Sequence, residues 1–224
     1  MKIGLIVSIA AIIFVGELPD KTFISNLIMS SKFRPVPVWV GAAGGFAVHV
    51  LIATVAGNLV LMLPKKPVEA VVSILFFAGG IYLFLGSESN QIQEGEIEAD
   101  RAQQLLDPNL ERSMSTEPSS WETQVEKIPA ERSFVRIAAS VFVVIFLAEW
   151  GDLTQILIAN FTAKYHDPLS VGVGALIGLW ASAGLATISG RSLLKIVPMA
   201  VLRKVSGVIL VGFGIYSVLP LIGV

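Results

Sequence analysis

Cysteine is absent from this chain, and ionisable side chains are scarce. The 224 residues include no cysteine, two histidines and 15% charged residues. Without thiols the chain forms no disulfide and offers no thiolate to a soft metal. A metal site would therefore be built from oxygen ligands, with imidazole as a further option, and such a ligand set favours hard cations.

Charge of either sign is too sparse for several classes of protein. The net charge is −1 at pH 7, and the basic residues lie at the ends of apolar segments rather than in a patch, which argues against a nucleic-acid partner. With 54% hydrophobic residues, the composition lies outside the usual range of soluble domains. It predicts an all-α integral membrane protein in contact with lipid.

Six apolar runs are long enough to cross a hydrocarbon core of roughly 30 Å, which takes about 20 helical residues. They lie near residues 3–30, 36–63, 68–86, 134–162, 169–190 and 198–222. The first run follows Lys2 in the manner of a signal peptide. Phe14-Val15-Gly16 is a poor cleavage site, however, and the run has a counterpart later in the chain, so we expect it to be retained.

A polar segment separates the third apolar run from the fourth. Ser87 to Arg132 holds eleven acidic and four basic residues, with Asp107-Pro108 and Glu117-Pro118 as helix breakers. This composition is typical of a mobile linker. It divides the chain into a first three-helix repeat at 1–86, an acidic linker at 87–132 and a second three-helix repeat at 133–224.

The two halves repeat one pattern of residues. Matching positions are 132 apart in the first span of each half, 133 apart in the second and 134 apart in the third, as insertions in loops would produce. The matches include Phe14/Phe146, Glu17/Glu149, Asp20/Asp152, Thr22/Thr154, Gly41/Gly174, Gly45/Gly178, Gly57/Gly190 and Gly80/Gly214. Because each unit has three spans, the second copy enters the membrane from the opposite side. The sequence thus predicts six transmembrane helices in two inverted repeats, an architecture common among secondary transporters.

Lysine and arginine residues divide unequally between the two sides of the predicted membrane. One side holds only Lys2, Lys65, Lys66 and Lys164, and eleven others fall on the opposite side. By the positive-inside rule, the acidic linker faces the cytoplasm and both termini face out. A bacterial cytoplasmic membrane is the expected location, and the oligomeric state stays open.

Charged residues interrupt the first span of each half. Glu17 and Asp20 are three residues apart, as are Glu149 and Asp152, so a helix presents each pair on one face. A charge at the bilayer centre costs at least ~2.5 kcal/mol. A structural role, with Lys21 neutralising one carboxylate and protons the others, is the simpler alternative. Neutral packing would not require the same constellation in both halves, so we favour function.

The functional interpretation is a cation site shared by the two halves. The four carboxylates would meet near the hydroxyls of Thr22 and Thr154 and the amide of Gln155, and such a ring of oxygens suits Ca²⁺ or Mn²⁺. Four carboxylates and Lys21 sum to −3, and a divalent cation leaves an excess that protons would remove. Competition between cation and protons predicts antiport. The ion is then a transported substrate, and no cofactor is expected.

Helix-breaking residues occupy the centre of both motifs. Pro19 and Gly151 stand at corresponding positions, and each marks a place where a helix can break. Backbone carbonyls freed by a break would add ligands, as in the discontinuous helices of transporters. A plain kink without ligation is the alternative.

Small residues recur at every fourth position of the second and fifth spans. These ribbons allow close helix approach, with the motif helix as the expected neighbour. They consist of Gly41, Gly45, His49, Ala53 and Gly57, and of Gly174, Gly178, Ser182, Ala186 and Gly190. His49 is predicted to point into the protein, either as a proton relay or ion-site group or as a core residue satisfied by hydrogen bonds.

The two motifs resemble the signature of a known family. "ELPDKT" at Glu17–Thr22 and "EWGDLT" at Glu149–Thr154 are similar to the duplicated E-x-G-D-[KR]-[ST] pattern of the transmembrane protein 165 family, once catalogued as uncharacterised protein family 0016. The resemblance covers both halves and implies cation/proton exchange, with Mn²⁺ and Ca²⁺ as substrates and bacterial members similar to manganese exporters. The cation site that it implies comprises Glu17, Asp20, Glu149 and Asp152, with Thr22 and Thr154 beside them.

The chain departs from the family pattern at two positions. Pro19 stands where the family has glycine, and Leu153 stands where it has lysine or arginine. Lys21 is consequently the one fixed positive charge in the two motifs, which bears on ion preference and proton stoichiometry.

Three other functions are alternatives to antiport, and one of them, a non-transporting assembly factor, would not need buried acids repeated in both halves. An exporter of small organic solutes would show more aromatic pocket residues and fewer acids at the midplane. An intramembrane aspartyl enzyme would use Asp20 and Asp152, but neither aspartate stands in a Gly-x-Gly-Asp pattern. We therefore expect a transporter rather than an enzyme.

Overall fold

The described part of the chain is helical. The computed structural model describes residues 2–18, 20–60, 64–85, 88–106 and 133–190, together with isolated positions between 204 and 218. Up to residue 190 these residues form eight helices and no strand: α1 Ile3–Glu17, α2 Lys21–Lys32, α3 Pro35–Val60, α4 Lys65–Leu85, α5 Glu88–Leu106, α6 Phe134–Ala148, α7 Leu153–Tyr165 and α8 Pro168–Ser189. The prediction of an all-α fold is thereby confirmed for the described residues.

Two of these helices are long and apolar enough to cross a membrane unbroken. They are α3, with 26 residues, and α8, with 22 residues. The pairs α1–α2 and α6–α7 also qualify by composition, but each pair bends by 72° at a short break. Counting each bent pair as one span gives four candidate spans among the described residues. Most of the sixth predicted span, 198–222, lies outside those residues.

The small-residue ribbons of α3 and α8 pack closely against the broken helices. A Cβ added to Gly174 would lie 2.7 Å from the backbone oxygen of Ile6, and one added to Gly178 would lie 2.7 Å from that of Ala10. A Cβ at Gly57 would lie 2.6 Å from the oxygen of Ala159. Contacts this short admit only glycine, because backbone cannot move aside as a flexible side chain can. Each ribbon thus contacts the broken helix of the opposite half.

Helices α3 and α8 cross each other in opposite directions. Near the start of α3, the Trp39 Nε1–H donates to the backbone oxygen of Trp180 at 3.1 Å, and Trp39 is the nearest neighbour of Gly184. Further along α3, the Thr54 side chain approaches Gly172, near the start of α8. The start of α3 therefore faces the end of α8. Two helices at matching sequence positions run antiparallel.

Helix α5 differs from the predicted mobile linker. The described part of that linker, 88–106, is a helix packed against α2 and α6. Ala99, Ala102 and Leu106 are buried along it, and a Cβ on Gly95 would lie 2.7 Å from Ile24 Cγ2. Small and apolar residues at alternating spacings of three and four build a helix face that the acidic composition conceals. The remainder of the linker, 107–132, lies outside the described residues.

Candidate cation site

Each motif lies at a break between two helices. Helix α1 ends at Glu17 and α2 begins at Lys21, so Asp20 is the N-cap residue of α2, with extended backbone. Asp152 is the N-cap residue of α7 in the same way. An acidic residue at this position faces the unpaired N–H groups and the positive end of the helix dipole. Both aspartates are thus placed at the N-terminal ends of helices that begin inside the protein.

The turn between α6 and α7 depends on a glycine. Gly151 has a φ of 78°, and a Cβ there would meet nothing within 4 Å. Its role is therefore conformational, because side chains rarely adopt this left-handed backbone. The break falls at the position that the sequence predicts for the second half. Pro19, its counterpart in the first half, lies outside the described residues.

Carboxylates of both motifs meet inside the protein. One oxygen each from Glu17, Asp20 and Glu149 all lie within 4.8 Å of one another. Glu17 and Glu149 are 1% and 3% exposed, whereas Asp20 is half-buried. Three carboxylates this close repel each other unless protons or a cation reduce the charge. We name Glu17, Asp20 and Glu149 the carboxylate cluster.

Threonines from both motifs hold Glu17 in place. The Thr154 hydroxyl donates to Glu17 Oε2 at 3.2 Å, across the two halves. The Thr22 hydroxyl lies 3.1 Å from Glu17 Oε1 and 2.8 Å from Asp20 Oδ2, so its one proton is shared between these acceptors. The predicted supporting hydroxyls therefore lie beside the carboxylates.

Asp152 and Lys21 lie near the cluster without joining it. Asp152 Oδ2 accepts from the Thr154 N–H at 3.3 Å, and the residue is not among the three whose oxygens converge. Its charge nevertheless acts on Glu17 and Glu149. The Lys21 ammonium feels Asp20 most strongly and Asp152 next, yet it forms no ion pair within 4.0 Å with a described carboxylate.

One oxygen in the cluster lacks a hydrogen-bond donor. Glu149 Oε1 is buried and has no hydrogen-bond partner, although burying a polar group without a partner costs about 1–3 kcal/mol. A carboxylate oxygen is an acceptor when ionised, so a cation or a proton would satisfy it. The donor set of carboxylate oxygens with neighbouring hydroxyls fits a hard divalent cation.

His49 and Gln155 brace the second break rather than line the cluster. The Gly151 N–H donates to Gln155 Oε1 at 2.9 Å, which turns the amide nitrogen toward His49 Nδ1 at 3.1 Å. His49 Nε2 lies 2.8 Å from the backbone oxygen of Phe146, which can only accept. The imidazole proton is therefore on Nε2, and both ring nitrogens of a neutral histidine are engaged. Within this network His49 fits a positioning role better than a proton relay.

Three polar residues near the site were not among those singled out by the sequence. Asn26 is fully buried, and neither polar atom of its amide has a hydrogen-bond partner. It lies one helical turn beyond Thr22, on the same face of α2. Ser25 and Glu98 are buried together between α2 and α5. Ser25 and Asn26 could have been found from the sequence, as two adjacent polar residues inside an apolar run.

Comparison with known proteins gives a family. The model of the family described as "Divalent cation/proton antiporter GDT1" matches residues 5–91 and 137–222. GDT1-like protein 3 of Arabidopsis thaliana is 25% identical over 213 residues, which cover 92% of this chain and 68% of that protein. A GDT1-like protein of Synechocystis is 24% identical over 206 residues, covering 92% of each chain. No solved structure matches the chain.

The matched residues include both halves and both motifs, and residues 92–136, which hold most of the linker, are not matched. Its description assigns transport of divalent cations against protons, which excludes the aspartyl-enzyme alternative and the organic-solute alternative. No cofactor is expected for such a transporter, because the cation is the substrate. The chain belongs to the GDT1 family of divalent cation/proton antiporters, the same family that the two motifs resemble as the transmembrane protein 165 family.

Proposed function

We propose that this protein exports a divalent cation, Mn²⁺ or Ca²⁺, in exchange for protons, and that Glu17, Asp20, Glu149 and Asp152 bind the cation. The observation that carries the proposal is the carboxylate cluster, in which oxygens from both motifs lie within 4.8 Å of one another. Oxygens on opposite sides of one Ca²⁺ are about 4.6–5.2 Å apart, from its ligand distances. One ion can therefore touch all three residues.

Asp152 is the fourth ligand in this proposal. It stands where Asp20 stands in the other half, at the N-cap of a helix that starts at the break. Its charge acts on Glu17 and Glu149, so a cation in the cluster would attract it. Thr22 and Thr154 hydrogen-bond to the cluster, and Lys21 makes its net charge less negative. His49 and Gln155 maintain the break beside Glu149.

Proton coupling follows from the crowding of the carboxylates. Buried carboxylates at this spacing are not all ionised at once unless a cation is bound, so cation binding releases protons and cation release recovers them. The cytoplasmic membrane of bacteria carries an inward proton gradient, and protons that enter through the exchanger drive the cation outward. Export is therefore the direction that we propose.

An inverted repeat of six spans would supply the alternating access that exchange requires. Support comes from α3 and α8, which run antiparallel at matching sequence positions, and from paired glycine contacts. Gly178 of the second half meets Ile13 and Phe14 of the first, and Gly45 of the first half meets Ile145 and Phe146 of the second. In this proposal 1–86 and 133–224 are the two repeats, 87–132 is the cytoplasmic linker, and both termini face outward in a bacterial cytoplasmic membrane.

Flux in proteoliposomes tests the proposal. With a proton gradient imposed across the vesicle, we expect Mn²⁺ or Ca²⁺ to move opposite to the protons, with Mg²⁺ as the comparison ion. Asp20→Asn and Asp152→Asn should each abolish flux, because each removes a ligand charge. Asp100→Asn, which neutralises an exposed aspartate, is the matched control and should transport like the wild type. Undiminished flux in both ligand variants would overturn the assignment of the site.

A further inference from the structure

Helix α5 carries a buried acidic side chain against α2. Glu98 is 5% exposed, and its Oε2 accepts a hydrogen bond from the Ser25 hydroxyl. The same hydroxyl lies 3.2 Å from the backbone oxygen of Gly95, where α5 approaches α2 too closely for a Cβ. This packing places Glu98 beside Ser25 of α2, which is about one helical turn from the motif residue Lys21. Glu98 lies outside the residues that match the family model.

The charged groups around Glu98 come mainly from the motif. Lys21 and Asp20 act on it from α2, and Glu94 acts on it from its own helix. The other packed helix, α6, carries one ionisable side chain, Arg136, which is exposed. The Lys32–Asp100 ion pair, with N–O 2.8 Å, lies on the exposed side of the α2–α5 contact. The charge state of Glu98 therefore depends more on the charged residues of the motif than on those at the surface.

Burial moves the pKa of Glu98 close to neutral pH. Loss of solvent raises its pKa to about 7, against the opposing effects of the Ser25 hydrogen bond and Lys21. Since the charge on Asp20 further disfavours the ionised form of Glu98, a divalent cation bound to Asp20 would remove that penalty. It would also repel the Lys21 ammonium from the cluster toward Glu98. Both effects favour loss of the Glu98 proton.

We propose that Glu98 is an additional proton-binding residue of the exchange, placed outside the carboxylate cluster. It holds a proton while the cluster has no cation, and it releases that proton when a divalent cation binds. In the release step the carboxyl O–H bond breaks and the proton passes to water, while the carboxylate stays hydrogen-bonded to Ser25. This inference rests on the proposed function and adds to the protons exchanged per cation.

Proton release on cation binding tests this role. MnCl₂, and in parallel CaCl₂, is added to the full-length protein in detergent with a pH-indicator dye and minimal buffer. Glu98→Gln should release fewer protons than the wild type, by up to about half a proton per chain at pH 7. The difference should fall to about a tenth at pH 8, because Glu98 is then already ionised in the wild type.

Two further variants separate this role from a structural one. Glu96→Gln removes an exposed charge from the same helix and should match the wild type. Ser25→Ala keeps the carboxylate but removes the donor to its ionised form, so cation-driven release should persist to higher pH. This variant also serves if Glu98→Gln fails to fold.

The outcomes distinguish the two proposals. A wild type that releases no protons with either cation overturns the proposed function, and this inference with it. Proton release by the wild type that Glu98→Gln reproduces in full at pH 7 overturns the inference alone. An unshifted pH profile in Ser25→Ala contradicts it as well.

Discussion

Replacing Glu149 by glutamine should make the protein more stable and less able to bind its cation. Glu149 is 3% exposed, and its Oε1 has no hydrogen-bond partner. Its oxygen lies within 4.8 Å of oxygens from Glu17 and Asp20. Without a bound cation, burying this acidic group beside two others lowers the stability of the folded protein. With a cation bound, the same group serves as a ligand. The two effects of one substitution should therefore have opposite signs.

The magnitude follows from the spacing of the cluster. Two unit charges 4.8 Å apart, the upper limit of the spacing in the cluster, repel by about 3.5 kcal/mol at an effective dielectric constant of 20. Glutamine removes two of the three repulsive pairs among the cluster residues, but protons already cancel part of that repulsion. We expect the free energy of unfolding without cation to rise by about 1–3 kcal/mol. Glu96→Gln, at an exposed position, should change it by less than about 0.5 kcal/mol.

Unfolding in detergent with and without MnCl₂ measures both effects. A bound ligand at a hundred times its Kd stabilises the folded state by about 2.7 kcal/mol, so the wild type should gain that much. The Glu149→Gln variant should gain less than about 1 kcal/mol at the same concentration, because it has lost a ligand charge. Lower stability of the variant without cation, or a gain equal to that of the wild type, would refute the reasoning.

Other substitutions test the residues around the cluster. His49→Ser should lower the maximal transport rate several-fold without shifting its pH profile, because a neutral side chain that positions Gln155 is lost. A shifted pH profile would support the proton-relay interpretation instead. Gly178→Ala should destabilise the protein by about 1–3 kcal/mol, since its Cβ would lie 2.7 Å from the Ala10 oxygen, while Gly4→Ala, with nothing within 4 Å, should not; equal melting temperatures would contradict the close packing. Asn26→Leu should raise the free energy of unfolding by about 1–3 kcal/mol, because two unpartnered polar atoms leave the interior; an unchanged or lower free energy of unfolding would contradict this.

The sequence predicts that all four motif carboxylates converge, because buried acids are costly enough to require each other or a cation, whereas the oxygens that come together are those of Glu17, Asp20 and Glu149. The small-residue ribbons were equally readable. They also predicted a motif helix as the neighbour of each ribbon, but a periodic pattern identifies a face of a helix and does not say which of the two motif helices covers it. The proximity of the ribbons to the opposite half required the fold.

Helix α5 and the His49 network show a different limit. Ala99, Ala102 and Leu106 are few and mostly small, so they give only a weak apolar pattern in a segment rich in acidic residues. The composition therefore predicts a mobile linker there rather than a packed helix. The bond between Gln155 and His49 joins residues about a hundred positions apart, and no local pattern specifies such a pairing. Both features depend on tertiary contacts that a single sequence does not display.

The packing of each ribbon against the opposite half bears on how such a chain could have arisen. Gly174 and Gly178 of the second half meet Ile6 and Ala10 of the first, so neither half covers its own glycine face. A three-helix unit expressed alone would leave that face without a partner. Under the inverted repeat that we propose, its stable ancestor would have been a pair of chains inserted in opposite directions, each packing its glycine face against the other. Gene fusion would then have converted an obligate dimer into one polypeptide, with α5 in the segment that joined the copies.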